Sequence, residues 1–521
     1  MVVLTPDAKI NENGGKYAGL DRFEARKQIV ADLEAQGYLV KVRKHNHAVG
    51  HCYRCNTVIE PRVSRQWFVK MAPLAAPALE AVKSGEITIQ PKRWEKVYYN
   101  WLENIRDWCI SRQIRWGHRI PAWYGPDQKV FVAKSETEAK DQALAFYGHE
   151  VELTQETDVL DTWFSSALWP FSTMGWPEKT ELLERFYPTS TLVTGADIIF
   201  FRVARMVMMG IYQMKEVPFH DVLFHGIVRD DLGRKMSKSL GNSPDPLKLI
   251  DEYGADAIRF TMIYNTSAGQ DVHFSEKLLE MGRNFANKVR NATNFVLMNL
   301  EGFDAKKVNK ADLDFELVDQ WIYSRLHETI DQVNKNLDTY TLDEAAKAVY
   351  EFIRGDFCDW YVEMAKVRLY ANEDLRSKTT AQRVLRDVLE SALKLLHPFM
   401  PFITEELWQH IKLEGETIML ADFPKADQTL ISSEVDGAMS YIKEVITALR
   451  NIRAEAGVAP SKEVSALIKT ASESELSILS ENKAFLMKLA KLSSLEFGKE
   501  LQKPDLSGFR VVGHSEIIVP L

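Results

Sequence analysis

The pattern of hydrophobic and polar positions changes character at about residue 275. Before that point, short apolar runs such as 222–224 alternate with polar turns and predict buried strands. After it, apolar residues recur every three or four positions, and they predict helices at 278–299, 317–337, 342–370, 379–396, 402–412 and 434–456. We therefore expect an α/β part followed by an all-α bundle.

The two ends of the chain predict smaller elements. Near the start, apolar residues at helical spacing follow Asp21, and a strand-like run occupies 38–42. Near the end, strand-like runs at 464–468 and 516–520 flank a helical stretch at 474–491. This last region predicts a small α/β appendage.

Composition restricts the class of protein. The 521 residues are 45% hydrophobic and 26% charged, as in ordinary globular proteins, and no apolar run of about 18 residues predicts a membrane span. The chain starts without a basic-then-apolar signal pattern, and four cysteines are too few for a disulfide framework, so we expect a cytoplasmic protein. Because the net charge is −8, nucleic acid would have to bind to local basic patches.

The strongest chemical signal is the segment Lys235-Met236-Ser237-Lys238-Ser239, which is flanked by glycines. Two ammonium groups three positions apart can close over a polyphosphate and stabilise the charge that develops as pyrophosphate leaves. A solvated lysine–serine surface loop is the alternative. A strand-like run precedes the segment and a helix start follows it, and this order favours a nucleotide-binding, Rossmann-like domain.

A second candidate lies at Gly195 and Asp197, where an apolar strand is followed by a helix. Glycine at such a turn lets a ligand approach the backbone, and a carboxylate two residues later can accept hydrogen bonds from ribose hydroxyls. Ordinary helix capping by Asp197 explains the same pattern equally well.

Cys52 and Cys55 have the spacing of metal ligands, with His45, His47 and His51 nearby. No second cysteine pair follows, so a closed zinc site would need histidines at unusual offsets. We favour a reduced turn that holds no metal, with zinc at Cys52 and Cys55 as the alternative.

Several longer motifs resemble class I aminoacyl-tRNA synthetases, and most closely their valyl branch. The resemblance extends over essentially the whole chain. Isoleucyl and leucyl enzymes are the nearest alternatives, and the run Ser-Ser-Ala-Leu-Trp-Pro at 165–170 is valyl-like rather than isoleucyl-like. The motifs that carry the resemblance lie at 101–108, 111–113, 161–170, 225–230, 235–242, 351–361 and 396–408.

The resemblance implies a multidomain fold of α/β and all-α parts. A partial Rossmann-like catalytic domain with a parallel sheet would precede a helical-bundle anticodon-binding domain and a small α/β appendage. The predicted segments are 1–60, a remnant of an inserted editing domain; 61–274, the catalytic domain with an insertion at about 126–157; 275–310, linker helices that contact the tRNA stem; 311–430, the anticodon-binding domain; and 431–521, the appendage.

The resemblance also implies a valine–tRNA ligase activity, with ATP and Mg²⁺, valine and tRNA(Val) as substrates, in a monomer without a membrane partner. Trp116 would form a wall of the amino-acid pocket, and Trp360 and Arg354 would face the tRNA, although bundle packing or solvation explains the last two as well. The remaining implied roles are phosphate contacts for Lys235, Ser237, Lys238 and Ser239, adenine contacts for His225 and Gly226, and ribose contacts for Gly195 and Asp197.

Two features depart from the family pattern. The chain lacks the family's His-x-Gly-His motif, whose histidines hold ATP from the other side, so we expect an inactive fragment made of the C-terminal two-thirds of a valyl enzyme. Arg202 stands where valyl enzymes usually place an aromatic residue against the substrate, and a guanidinium there would be costly to desolvate. A stand-alone tRNA-binding module is the alternative function.

Overall fold

The computed structural model describes residues 1–52, 55–237, 240–309, 313–370 and 375–520. In the described part of the chain, no helix combines the length and the apolar character that crossing a membrane requires. The predicted division into five segments stays a prediction. The chain forms two compact units, the first made of Met1–Ala78 and Leu102–Trp169 and the second of Leu79–Trp101 and Pro170–Leu521.

The first unit consists of short antiparallel strands and a few helices. Its three-stranded sheet has Ala122–Tyr124 between Val130–Val132 and Thr154–Gln155. Two further strand pairs join Phe68–Val69 to Trp108–Cys109 and Ser111–Arg112 to Val159–Leu160. Its helices include Glu12–Tyr17, Arg22–Ala35, Glu136–Tyr147 and Thr162–Ser166. Helices Ala72–Lys83, Arg93–Glu103 and Trp169–Ser172 continue along the chain from one unit into the other.

The predicted strand at 38–42 is wrong. This segment has no regular secondary structure, and the side chains of Tyr38, Val40 and Val42 are exposed. Valine and tyrosine favour strands only where a neighbouring strand and a packing surface are available, and none of the described strands pairs with this run. The helix predicted after Asp21 does form, and the carboxylate of Asp21 caps it by accepting the Phe23 N–H.

The second unit contains the parallel sheet that positions the candidate site. Strand Phe219–His225 lies between Thr88–Gln90 and Thr189–Gly195, and both neighbours run parallel to it. Helix Ala204–Met214 connects the two longer strands, and its residues 204–210 are buried. This strand–helix–strand crossover is the connection that parallel strands require, so the predicted Rossmann-like parallel sheet is confirmed.

The rest of the second unit is mainly helical, as the periodicity predicted. The stretch predicted as one helix at 342–370 is interrupted by a π-helical segment, Phe352–Tyr361. The short helix Glu181–Phe186 precedes the parallel strand Thr189–Gly195. The helices after the sheet are Pro246–Tyr253, Ala255–Tyr264, Lys277–Asn299, Leu317–Asp338, Leu342–Glu351, Val362–Leu369, Leu375–Leu396, Pro401–Ile411 and Ser433–Glu455.

A four-stranded mixed sheet follows the bundle. Its strand order is Leu492–Gly498, Val464–Thr470, Ser515–Pro520 and Ser507–Val512, and helices Glu473–Glu481 and Lys483–Ala490 pack beside it. Two of these strands were predicted and two were not. Buried residues of the last bundle helix, such as Leu449, share one hydrophobic core with Ile468 and Ile517 of the sheet. The bundle and the sheet are therefore packed together.

Polar contacts also join the parallel sheet to the bundle. The hydroxyl of Tyr340 donates to Asp221 Oδ2 at 2.8 Å and lies 2.8 Å from the hydroxyl of Thr191. The carboxylate of Asp256 accepts the N–H groups of Phe402 and Ile403 at 3.2 and 2.7 Å, and it thereby caps helix Pro401–Ile411. These contacts hold the sheet and the helices within one unit.

Candidate active site

The candidate site lies at the carboxyl ends of the two longer parallel strands. Gly195 and His225 are the last residues of these strands, and they are paired in register. A Cβ atom placed at Gly195 would lie 2.7 Å from Asp197 Oδ1 and 3.8 Å from His225 Cε1. The missing side chain therefore lets the carboxylate and the imidazole approach the strand end. This is the edge at which open α/β sheets bind ligands.

The lysine–serine loop reaches the same edge of the sheet. The Nζ atom of Lys235 lies 3.0 Å from Oδ2 of Asp197, and the two side chains are 60% and 48% exposed. Ser237 is also described, and residues 235–237 belong to no helix or strand of their own. Lys238 and Ser239 lie outside the described residues, so their predicted phosphate contacts stay predictions.

His225 and Gly226 have well-defined local roles. The Nδ1 atom of His225 lies 2.8 Å from the carbonyl oxygen of Gly226, and because a carbonyl can only accept, Nδ1 carries the proton. The Nε2 atom of this tautomer is an acceptor. A Cβ atom at Gly226 would lie 1.6 Å from the carbonyl oxygen of Gln270, so glycine is required there for the close approach of two backbones. The predicted adenine contacts of both residues stay predictions.

Asp230 and Asn242 organise the loop, and neither was among the site residues predicted from the sequence. The carboxylate of Asp230 accepts the N–H groups of Leu232 and Arg234 at 3.1 and 2.8 Å and the Nδ2–H of Asn242 at 2.9 Å. The hydrogen bond from Asn242, together with those from Arg234, lowers the pKa of the Asp230 carboxyl well below its ordinary value. A detectable signal existed, because an aspartate three residues before a glycine is typical of a turn, and Gly233 has a φ of 75°.

The two predicted residues of the amino-acid pocket lie in different units. Trp116 belongs to the first unit, where its side chain is 91% exposed. Arg202 belongs to the second unit and lies in the π-helical turn Ile199–Val203. Its Nε atom is buried and has no hydrogen-bond partner among the described residues. The roles of both residues in a valine pocket stay predictions.

A groove of about 920 Å³ lies on the helical bundle and includes the predicted tRNA-facing residue Trp360. The ring of Trp360 lies 5.3 Å from Lys443 Nζ and 5.7 Å from the Arg450 guanidinium. Arg354 is exposed, donates to the hydroxyl of Tyr350 at 2.8 Å, and is outside the groove lining. The groove is lined by the amides of Asn284, Asn287 and Asn291 and by the charged residues Lys288, Asp359, Glu363, Lys366 and Arg450. Lys288 forms an ion pair with Asp359, and Lys366 forms one with Glu363.

The described residues supply no ready metal site. Nowhere in ranges 1–52, 55–237, 240–309, 313–370 and 375–520 are three or more His, Cys, Asp or Glu side chains grouped to hold a metal ion. Cys52 and Cys55 are both free, and the thiol of Cys55 donates to Thr57 Oγ1 at 3.3 Å. Structural zinc takes four ligands, so these two thiolates alone would not close a zinc site.

Two protein-family models match consecutive parts of the chain. Residues 18–275 match the family model described as tRNA synthetases class I (I, L, M and V). Residues 319–468 match the model described as the anticodon-binding domain of tRNA ligase. The first match includes the sheet and the lysine–serine loop, and the second includes most of the helical bundle.

Curated relatives carry the name valine–tRNA ligase. The chain is 65% identical to the one from Fusobacterium nucleatum over 521 residues, which is all of this chain and 59% of the relative. It is 54% identical to the one from Carboxydothermus hydrogenoformans over 482 residues, or 92% of this chain and 54% of the relative. The chain therefore spans a little over half the length of the curated relatives that it matches.

Solved structures agree on the fold. An Agrobacterium radiobacter K84 LeuRS–tRNA–LeuAMS complex aligns with a TM-score of 0.51 and 18% identity, over 79% of this chain and 51% of the other. Mycobacterium tuberculosis methionyl-tRNA synthetase with methionyl-adenylate aligns with a TM-score of 0.53 and 20% identity, over 69% and 65%. At this identity the likeness shows the architecture alone.

Proposed function

Because the chain belongs to the class I tRNA synthetases, as a homologue of valine–tRNA ligases, we propose that it supplies two working parts of such a ligase. The first is the loop side of an ATP site, which activates valine to valyl-adenylate. The second is the helical surface that binds tRNA(Val), to which the valyl group is then transferred. Editing of mischarged tRNA in the intact enzyme, a cytoplasmic location and a monomeric state stay predictions from the sequence.

The convergence of Gly195, Asp197, His225 and Lys235 at one sheet edge supports the ATP site more than any other observation. The carboxylate of Asp197 can accept hydrogen bonds from ribose hydroxyls. Gly195 has no side chain, so a ribose can approach the backbone beside this carboxylate. Nε2 of His225 offers an acceptor toward adenine. A nucleotide held here would place its phosphates within reach of the ammonium group of Lys235.

The membership in the synthetase family implies the chemical step, and the arrangement suggests which side chains would assist it. The valine carboxylate attacks the α-phosphorus of ATP, a new oxygen–phosphorus bond forms, and the bond to the β-phosphate bridging oxygen breaks. Negative charge accumulates on the departing pyrophosphate, where Lys235 and Lys238 would stabilise it. Mg²⁺ would accompany ATP as part of the substrate. The valyl group then passes from the adenylate to the terminal adenosine of tRNA.

The groove around Trp360 supports the tRNA-binding role. Nucleic-acid surfaces combine cations for phosphates, amides for base edges and aromatic rings for stacking, and the groove holds all three. Three asparagines at 284, 287 and 291 recur along one face of helix Lys277–Asn299. Lys288 and Lys366 are paired with Asp359 and Glu363 of the same lining, so the asparagines, Trp360 and Arg450 are the groups that this surface offers to nucleic acid.

We further propose that the chain does not catalyse adenylation by itself. The family's His-x-Gly-His motif is missing from its sequence, and transition-state stabilisation would be shared between that motif and the loop lysines. Valine-dependent pyrophosphate exchange should be measured for the chain alone and for a fusion to the part of the Fusobacterium nucleatum ligase that it does not match. We expect exchange only in the fusion, and exchange by the chain alone would contradict this part of the proposal.

A stand-alone tRNA-binding module is the second candidate function, and the groove on the bundle is the observation that favours it. Filter-binding titrations of this chain with tRNA(Val), at increasing salt, test the binding role for both candidates. An affinity for tRNA(Val) that falls steeply with increasing salt supports tRNA binding through cations such as those of the groove. An inactive fusion combined with salt-dependent binding would favour the binding module, and no salt-dependent binding would exclude it.

A further inference from the structure

The loop that carries Lys235 is closed by one carboxylate and one amide. The Oδ1 atom of Asp230 accepts the N–H groups of Leu232 and Arg234, while its Oδ2 atom accepts from Arg234 Nε at 2.8 Å and from Asn242 Nδ2 at 2.9 Å. The Oδ1 atom of Asn242 in turn accepts the N–H of Ser237 at 2.9 Å. Asp230 is only 9% exposed. Its position is therefore largely fixed by donors from both ends of the loop.

The backbone before the loop is held as well. The strand Val228–Arg229 pairs in parallel with Val272–His273, and Asp271 accepts the N–H of Ile227 at 2.8 Å and forms an ion pair with Arg229. Arg229 also donates to the carbonyl oxygen of Gly233 at 3.2 Å. The backbone of residues 227–229, which leads into the turn at Asp230, is therefore held in place by these contacts.

One apolar side chain anchors the middle of the loop. Met236 packs against the buried cluster of Leu249, Phe274 and Leu279. With Asp230 and Asn242 holding the ends and Met236 holding the centre, the ammonium group of Lys235 is left at the sheet edge, 3.0 Å from Asp197. We call the side-chain hydrogen bonds of Asp230 and Asn242 the clamp. Without the clamp, the direction of the chain at Lys235 and the position of its charge would no longer be fixed.

We propose that Asp230 and Asn242 are positioning residues, which set the conformation of the lysine–serine loop at Lys235 and Ser237 so that the ammonium group of Lys235 meets the phosphates of ATP. Neither side chain needs to touch the substrate. The catalytic part of this inference rests on the proposed function, whereas the clamp itself is a property of the chain. The two parts therefore need separate measurements.

The first measurement is hydrogen–deuterium exchange of the intact chain. The amide of Arg234 in Asp230→Asn, and the amide of Ser237 in Asn242→Ala, should exchange about tenfold faster, because each variant weakens or removes the side-chain acceptor of that amide. Asp231→Asn is the matched control, since this neighbouring carboxylate is exposed. Unchanged exchange in strand Phe219–His225 would show that the variants fold. Rates equal to those of Asp231→Asn would overturn the clamp.

The second measurement uses pyrophosphate exchange by the fusion. Both clamp variants should lower kcat by about tenfold and leave the KM for valine unchanged, because the loop acts on phosphates in the transition state. Full kcat with accelerated amide exchange would overturn the positioning role. If the unmodified fusion shows no valine-dependent exchange, the proposed function fails, while the amide exchange rates still decide whether the clamp exists.

Discussion

Lys235 Nζ forms an ion pair with Asp197 Oδ2 at 3.0 Å, so this loop lysine occupies the carboxylate that we propose as the ribose acceptor. The two residues are 38 positions apart in the sequence, and each was a separate candidate for contacting ATP. Binding of a nucleotide would exchange this pair for two others, in which Asp197 accepts ribose hydroxyls and Lys235 faces phosphate. The pair is half exposed, so the exchange costs little.

The first prediction concerns Asp197. In the fusion, Asp197→Asn should raise the KM for ATP by about tenfold, because a neutral amide replaces a charged acceptor for the ribose. The KM for valine should stay the same, since valine does not contact this carboxylate in the proposed arrangement. Asp251→Asn, a change at an exposed helix position, is the control. An unchanged KM for ATP would remove Asp197 from the ribose site.

The second prediction concerns Lys238. Lys238→Ala in the fusion should lower the rate of adenylation by about 100-fold or more, as expected for a group that acts mainly in the transition state. The affinity for tRNA(Val), measured by filter binding, should remain nearly unchanged. Lys238→Arg keeps the positive charge and should retain more activity. A matched fall in tRNA affinity would contradict a role confined to the phosphates.

The third prediction concerns Arg202. Its Nε atom is buried without a partner among the described residues, and an unpaired polar atom in an apolar pocket is costly. If Arg202 lines the valine pocket, Arg202→Trp should tighten the binding of valine to the fusion, as measured by isothermal titration calorimetry. Arg202→Lys retains the charge and should give no gain. Unchanged binding to the tryptophan variant would place Arg202 outside the pocket.

The helical part of the fold could be predicted because its apolar positions follow one period over many turns. The predictions at 317–337 and 434–456 correspond to Leu317–Asp338 and Ser433–Glu455. The strand Ser507–Val512 escaped prediction because it lies at the edge of its sheet, where side chains such as Phe509 and Val511 remain exposed and no apolar alternation is required. The π-helical segment Phe352–Tyr361 leaves no distinct mark on hydrophobic spacing.

The candidate site could be predicted residue by residue but not as a geometry. Local chemistry was enough to single out Lys235 and Asp197, but their pairing depends on how the loop folds back over the sheet. The spacing of Asp230 and Gly233 is typical of a turn, but the role of Asp230 in holding the loop was missed for the same reason. The role of its carboxylate becomes clear only from the hydrogen bond that it accepts from Asn242, which lies twelve positions later in the sequence. Contacts of this kind are set by tertiary structure rather than by spacing.

The fourth prediction concerns the stability of the bundle. Arg368 Nη1 lies 2.6 Å from Asp319 Oδ2, and the two side chains are 4% and 0% exposed. Tyr361 donates to the other oxygen of Asp319 at 2.7 Å. Asp319→Ala would leave the guanidinium buried without this partner, so the free energy of unfolding in urea should fall by about 3–5 kcal/mol.

A surface pair on the same helix provides the control for this prediction. Asp331 and Lys335 are 2.6 Å apart and partly exposed, so Asp331→Ala should cost less than about 1 kcal/mol. The double variant Asp319→Leu with Arg368→Met should recover much of the loss, because it removes both buried charges. Equal losses of unfolding free energy in Asp319→Ala and Asp331→Ala would show that the buried pair contributes no more to stability than the surface pair.

The fifth prediction concerns the pH dependence of stability. Burial lowers the pKa of His327, while the nearby charge of Asp427 acts in the opposite direction. The Nδ1 atom of His327 accepts the backbone N–H of Asp427 at 3.0 Å, and protonation would remove this acceptor. The surrounding cavity also holds the Arg383–Asp387 ion pair, Tyr323 and Gln320.

The sign of the effect follows from proton uptake. A histidine in the unfolded chain has a pKa of about 6.5. Below that pH the unfolded chain therefore binds a proton at position 327, while His327 of the folded protein stays neutral. The free energy of unfolding should therefore decrease as the pH falls below about 6.5, down to the lowered pKa of the folded protein. His327→Gln, whose amide oxygen can still accept a hydrogen bond, should make this dependence shallower in urea titrations between pH 7 and 5. His410→Gln, a change at an exposed histidine, is the control. Parallel slopes for all three proteins would exclude His327 as a source of acid sensitivity.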